Sequence, residues 1–145
     1  EEKLLDGYDR IELMRLAIGD DDRFRVSDVE FSLPKPSYTI DTLTRLTEKY
    51  PDHHFSLIMG SDNLVTLPQW KRYPDIIRHF EIFVYPRSGF DAEATEPEGN
   101  ITIVKAPLLD ISSTFIRGAI HEGRNMKFFI PSEAWAYIDK MNFFR

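Results

Sequence analysis

The chain contains no cysteine, which excludes a disulfide framework, a thiolate metal site and a thiol nucleophile within these residues. Long apolar runs are missing too, and none approaches the roughly 20 residues that cross a bilayer as a helix. Positive charge is the minority: 18 Lys and Arg stand against 24 Asp and Glu, for a net charge of −6. With no basic stripe along the chain, nucleic acid is not expected as a partner. Internal repeats and low-complexity segments are absent, so one compact unit is the simplest organisation. On these grounds we expect a soluble, cytoplasmic protein with no membrane partner.

What is present suits an ordinary globular domain. A chain of 145 residues can bury about 70% of its unfolded surface, and we expect a single domain over residues 1–145. Between Asp6 and Ile18, apolar Tyr8, Ile11, Leu13 or Met14, and Ile18 recur near the helical period, with Gly19 and the acid run Asp20–Asp22 as a stop. Phe24–Val26 and Val29–Phe31 alternate as short strands do. A second helix is predicted from Ser37 or Tyr38 to Tyr50, with Ile40, Leu43 and Leu46 on one face.

Phe55–Met59, stopped by Gly60, and Glu81–Tyr85 read as buried parallel strands, and Ile101–Val104 as a third. Between the first two lies a helix from Tyr73 to Phe80, with Pro74 near its start. Residues 87–100 read as an exposed loop. Two more helices are predicted, one running from Ser112 toward Gly123 and one opened by Pro131 with Ala134, Trp135, Ile138 and Met141 as its stripe. Met59, Phe83 and Trp135 are assigned to the core. This alternation predicts an α/β domain with a mainly parallel sheet. Ligands of such sheets bind beyond the carboxyl ends of strands, where Gly60, Arg87 and Ser112 all fall.

Ser112-Ser113-Thr114 follows a strand-like run, Leu109–Ile111, and precedes Arg117 by one helical turn. Ser112 as N-cap would leave first-turn N–H groups pointing outward beside the hydroxyls, and Arg117 would add a guanidinium fork on the same side. Phosphate binding and plain helix capping are both open on this spacing. Gly60 allows close approach of a ligand, and Asp62 is either a ribose-binding carboxylate or the N-cap of a helix beginning near Asn63. Trp70 sits in a polar, Pro-bounded loop, as a stacking surface or as a core anchor. Lys71 and Arg72 are cations that either attract an anionic ligand or are solvated. No metal site is predicted: Asp20–Asp22 reads as a solvated turn and His53-His54 as a solvent-facing pair.

Four segments, Pro36–Leu43, Leu57–Leu64, Gln69–Tyr73 and Ile111–Arg117, together resemble the bacterial nicotinate-nucleotide adenylyltransferase family in order and spacing. The resemblance implies a Rossmann-like nucleotidyltransferase fold. It also implies adenylyl transfer from ATP to nicotinate mononucleotide, giving nicotinate adenine dinucleotide and pyrophosphate, with Mg2+ carried on ATP. By this resemblance Gly60, Asp62, Ser112, Ser113, Thr114 and Arg117 would bind ATP, with Arg117 catalytic. Tyr38, Thr39, Trp70, Lys71 and Arg87 would bind the nicotinate nucleotide, Trp70 by stacking on its ring.

Family members begin with a strand and a Gly-x-Phe-x-Pro-x-His-x-x-His turn. None of His53, His54, His79 and His121 occupies such a context. The expectation is therefore a later part of a longer protein, N-terminally incomplete, inactive as these residues alone and exposing apolar sheet edges. A homo-oligomer is compatible with this reading. Two other functions are carried forward: a related nucleotidyltransferase with another acceptor, such as nicotinamide mononucleotide or phosphopantetheine, and a non-catalytic nucleotide-binding module.

Overall fold

Three parallel strands organise the middle of the chain in a computed structural model that describes residues 5–90 and 99–145. These residues form two units, the described parts of Val29–Asp110 and of Glu1–Asp28 with Ile111–Arg145.

In the first unit, β1 (Ser56–Gly60), β2 (Glu81–Tyr85) and β3 (Ile101–Ile103) pair in the order β1-β2-β3, all parallel. The register sets Leu57 beside Ile82 and Met59 beside Val84, and Gly60 faces Tyr85 at the carboxyl ends. Period-two alternation sends Leu57, Met59, Ile82, Val84, Ile101 and Ile103 to one side. There they join Ile40 of α2 (Thr39–Lys49), Leu64 of α3 (Ser61–Leu64) and Ile76 of α4 (Tyr73–His79) in one core. Ile82, Val84 and Ile76 are fully buried. The parallel α/β architecture is the one that the alternating pattern predicts.

Three local expectations are corrected. Val29–Ser32 is a 3₁₀ turn rather than a strand, and Phe24–Val26 is irregular. Alternation needs a partner strand to become a ladder, and here the Ser32 hydroxyl instead donates to the Val29 carbonyl at 2.7 Å, a side-chain bond that competes with sheet. β1 is covered on one face only, with Ile58 71% exposed; an apolar run predicts burial of both faces, but the helices of this unit pack on the Leu57 and Met59 side. Leu109–Ile111 is irregular, eight residues lie between Ile103 and Ser112, and β3 stops before Val104. Of the predicted loop, residues 87–90 form a tight turn, and residues 91–98 lie outside the described residues.

The second unit is helical. α1 (Gly7–Ile18) is capped by the Asp6 carboxylate, which accepts from the Tyr8 N–H at 2.9 Å, and it ends at Gly19, whose φ of +58° favours glycine. Ile11 is buried, whereas Tyr8 and Met14 are exposed, so the buried stripe is narrower than the sequence period suggests. α5 (Ser113–His121) and α6 (Ser132–Met141) contribute Ala119, Ile120 and Ile138 to a core that also holds Met126, with Leu13, Ile116 and Trp135 packed on it. Met141 is exposed. The Tyr137 hydroxyl of α6 donates to Asp9 Oδ1 of α1 at 3.1 Å.

Candidate active site

Two segments of the sheet unit build a cavity of about 300 Å³ lined by Ser37, Tyr38, Thr39, Gln69, Trp70, Lys71 and Ile76. One wall is the start of α2. Tyr38 is its N-cap in extended conformation and Thr39 its first helical residue, so the Thr39 and Ile40 amides are not used inside the helix, whereas the Asp41 N–H donates to the Tyr38 carbonyl at 2.9 Å. The opposite wall is the Trp70 turn. Leu67, 1% exposed, anchors it in the core, and the Trp70 N–H donates to the Leu67 carbonyl at 3.0 Å. Trp70 itself is half-buried, packs against the core and lines the cavity. The two sequence readings of this tryptophan are thus compatible in one side chain.

Lys71 bridges the walls. Its ammonium donates to Asp41 Oδ2 at 2.8 Å and lies 4.6 Å from the centroid of the Tyr38 ring. Arg72 does something different: it takes a left-handed conformation (φ 53°) at the N-cap of α4 and pairs with Asp75, Nε to Oδ2 at 2.7 Å. Pro74 within the first turn of that helix needs no intrahelical donor there.

At the carboxyl ends of β1 and β2 a second cluster forms. Gly60 closes β1 and caps α3, so Asp62 lies inside the helix and is not the N-cap that sequence alone allowed. Its Oδ2 faces Arg87 Nη1 at 3.5 Å. A Cβ on Gly60 would come within 2.6 Å of Arg87 Cδ, so the close approach for which glycine is suited is made here by the Arg87 side chain itself. Arg87 lies outside the lining of the first cavity and beside Gly60 and Asp62.

Ser61 is the residue that sequence reasoning missed in this cluster. It is 2% exposed, accepts from the Arg87 N–H at 2.9 Å and donates to the Phe90 carbonyl at 3.4 Å. It thereby fixes the turn that carries Arg87. Asp41 was missed as well. Its place in the first turn of a helix reads as a favourable charge and nothing more; only the fold reveals its partner, 30 positions along the chain.

In the helical unit, Ser112 is the N-cap of α5, its Oγ accepting from the Phe115 N–H at 3.1 Å. Ser113 and Thr114 are exposed, while Ala119 and Ile120 face the core. Arg117 is half-buried on the same side as Thr114, with Nη2 3.4 Å from the Thr114 hydroxyl. A nine-residue helix so capped presents N–H groups, hydroxyls and a guanidinium together, a donor set suited to phosphate oxygens.

The glycine and carboxylate at the carboxyl edge of the sheet unit, and the Ser-Ser-Thr helix start followed by arginine in the helical unit, are features expected of a nucleotidyltransferase. The cytidylyltransferase-like family model matches residues 1–119. The chain belongs to the nicotinate-nucleotide adenylyltransferase family. It is 46% identical over 144 residues to the "Probable nicotinate-nucleotide adenylyltransferase" of Flavobacterium johnsoniae, covering 98% of this chain and 75% of that protein. The protein of the same name from Flavobacterium psychrophilum is 44% identical over 147 residues, covering 100% and 76%. The chain thus spans about three quarters of the length of these relatives.

The fold agrees. A Plasmodium falciparum nicotinic acid mononucleotide adenylyltransferase complexed with NaAD superposes with a TM-score of 0.80 at 19% identity, over 99% of this chain and 76% of that one. The same enzyme complexed with APC gives a TM-score of 0.80 at 19% identity over 97% and 77%. The fold is the Rossmann-like one expected from the sequence.

Proposed function

We propose that this protein transfers the adenylyl group of ATP to nicotinate mononucleotide, giving nicotinate adenine dinucleotide and pyrophosphate, a step of NAD synthesis. The observation that carries the choice of acceptor is the cavity in which Trp70, Tyr38, Thr39 and Lys71 meet. An aromatic face suits stacking on a pyridine ring. The α2 N-terminus suits the ring carboxylate, which the amide analogue lacks. Asp62 is assigned to the ATP ribose, Gly60 to close backbone approach, and Arg87, held next to both, to a nucleotide phosphate.

In this reaction an oxygen of the mononucleotide phosphate attacks the α-phosphorus of ATP in line, and the bond to the β-phosphate oxygen breaks as pyrophosphate leaves. The nucleophile is already an anion, so no general base is required. Catalysis rests on alignment and on neutralising charge that moves to the leaving oxygens. Arg117, with the hydroxyls of Ser113 and Thr114 and the first-turn amides behind Ser112, is assigned to grip that polyphosphate. Magnesium is assigned to the ATP phosphates, where it would add to charge neutralisation. No helix among the described residues is long and apolar enough to cross a membrane.

Pyrophosphate release by the full-length protein tests this reading, with ATP and each of nicotinate mononucleotide, nicotinamide mononucleotide and phosphopantetheine. The acid nucleotide should be turned over with the highest kcat/KM. A strong preference for the amide or for phosphopantetheine would overturn the acceptor assignment.

A further inference from the structure

We propose that Asp41 is a positioning residue of the acceptor cavity, acting through Lys71 to hold the Trp70 turn against the start of α2; the proposal rests on the acceptor reading above. The two walls of the cavity are distant in sequence and are joined across their mouth by one side chain. The Lys71 ammonium sits between the Asp41 carboxylate, at 2.8 Å, and the Tyr38 ring, at 4.6 Å.

A lysine in an exposed turn ordinarily leaves its ammonium in water, because an immobilised four-carbon stem loses rotamer entropy. Here two attractions of different kind converge on it, an ion pair and a cation–π contact. Both come from α2 or its cap, and both pull the residue next to Trp70 toward Tyr38. Leu67 fixes the base of the turn in the core; the Lys71 clamp fixes its tip. The pair is only partly screened from solvent, with side-chain exposures of 43% and 34%.

Holding the tip matters because a stacking ring contributes to binding only if it is already placed, and a loop ordered beforehand loses less freedom when the ligand arrives. Asp41 is not itself a lining residue of the cavity; it touches the lining residue Lys71 from outside. Its effect is transmitted through Lys71, which distinguishes it from a residue that contacts the nucleotide. One further role for Asp41 follows from its position in the first turn of α2, where a carboxylate stabilises the helix. That role is independent of Lys71, so a double-substitution cycle separates the two.

The test uses full-length protein carrying Asp41→Asn, Lys71→Met or both, with KM measured for each substrate. Asp41→Asn should raise KM for nicotinate mononucleotide by about fivefold, the upper end for a partly exposed ion pair, and leave KM for ATP unchanged. In the Lys71→Met background, Asp41→Asn should add nothing, and Lys71→Arg, which keeps a cation for Asp41, should raise KM less than Lys71→Met does. In parallel, acrylamide quenching of Trp70 is measured in a Trp135→Phe background without any nucleotide. Asp41→Asn should make Trp70 more accessible. Additive effects of the two substitutions, or unchanged Trp70 quenching, would overturn the clamp. Should the unsubstituted protein bind no nicotinate mononucleotide, the acceptor reading fails, and the quenching arm still decides whether Asp41 holds Trp70.

Discussion

The Asp62 carboxylate faces the Arg87 guanidinium at 3.5 Å, Oδ2 to Nη1, across the carboxyl ends of β1 and β2. A ribose that reaches Asp62 therefore meets a carboxylate already oriented by a cation. Ribose hydroxyls donate to a charged acceptor more strongly than to an amide oxygen. Asp62→Asn should raise KM for ATP by about tenfold or more, since bonds to charged groups contribute roughly 1.5–3 kcal/mol. Steady-state kinetics with each substrate varied in turn checks this. A change confined to KM for nicotinate mononucleotide would remove Asp62 from the ATP side.

Gly60 joins the same cluster through space rather than chemistry. A methyl group at this position would come within 2.6 Å of Arg87 Cδ and would also collide with the Asp62 carboxylate. Neither neighbour is buried in the core, so Gly60→Ala should displace the two side chains and leave the sheet intact. Turnover is expected to fall by about a hundredfold, as a misplacement near 1 Å can cost, with little change in the far-ultraviolet circular dichroism. Loss of the folded signal would show instead that Gly60 acts on stability.

Arg117 is assigned to charge that develops on the leaving pyrophosphate. Removing a donor of that kind costs roughly 100- to 1,000-fold in kcat. Arg117→Ala should lower kcat on that scale while the dissociation constant of nicotinate mononucleotide, measured by Trp70 fluorescence in a Trp135→Phe background, moves less than about threefold, or 0.65 kcal/mol. Equal losses in both would place Arg117 in general binding rather than in the chemical step.

Ser112 separates capping from catalysis at the same helix. Its Oγ accepts from Phe115 N–H at 3.1 Å, so Ser112→Ala should lower stability by about 1 kcal/mol, read from urea unfolding. Ser113→Ala removes an exposed hydroxyl with no capping bond and should leave stability unchanged while raising KM for ATP. If Ser113→Ala proves silent in kinetics, the polyphosphate grip reduces to Thr114, Arg117 and the helix amides.

The sequence carried the parallel α/β plan because it is written in local signals: apolar runs bounded by Gly60 and Pro74, and the Ser112 cap. It carried Trp70 and Lys71 because a large ring and a cation in a polar turn are conspicuous. It did not carry Asp41 or Ser61. Asp41 looks like any first-turn acid, and Ser61 like any polar residue after a glycine, until the fold brings Lys71 to one and the Arg87 turn to the other. Val29–Phe31 failed for the converse reason: an alternating pattern specifies a strand only where an edge is available to pair with it, and the Ser32 hydroxyl closed a turn there instead.

Tyr137 gives the helical unit a pH dependence of predictable sign. Its hydroxyl donates to Asp9 Oδ1 at 3.1 Å, and desolvation first, then that bond and the charges of Asp9 and Glu12, raise its pKa above the ordinary value of 10.0. Each of these disfavours the phenolate in the folded protein. A folded-state pKa above the unfolded one means that the stabilisation is fully present below the unfolded pKa and is lost as pH rises through the folded pKa. The tie between α1 and α6 should therefore be intact at neutral pH and weaken only in alkali. Phenolate absorbance of wild-type protein minus that of Tyr137→Phe isolates this tyrosine from the other five, and its midpoint should lie above 10.0. Urea unfolding should find wild type more stable than Tyr137→Phe at neutral pH, with the difference shrinking as pH passes that midpoint. A difference that grows in alkali would mean that Tyr137 is stabilised as the phenolate, and that the bond to Asp9 does not form in solution.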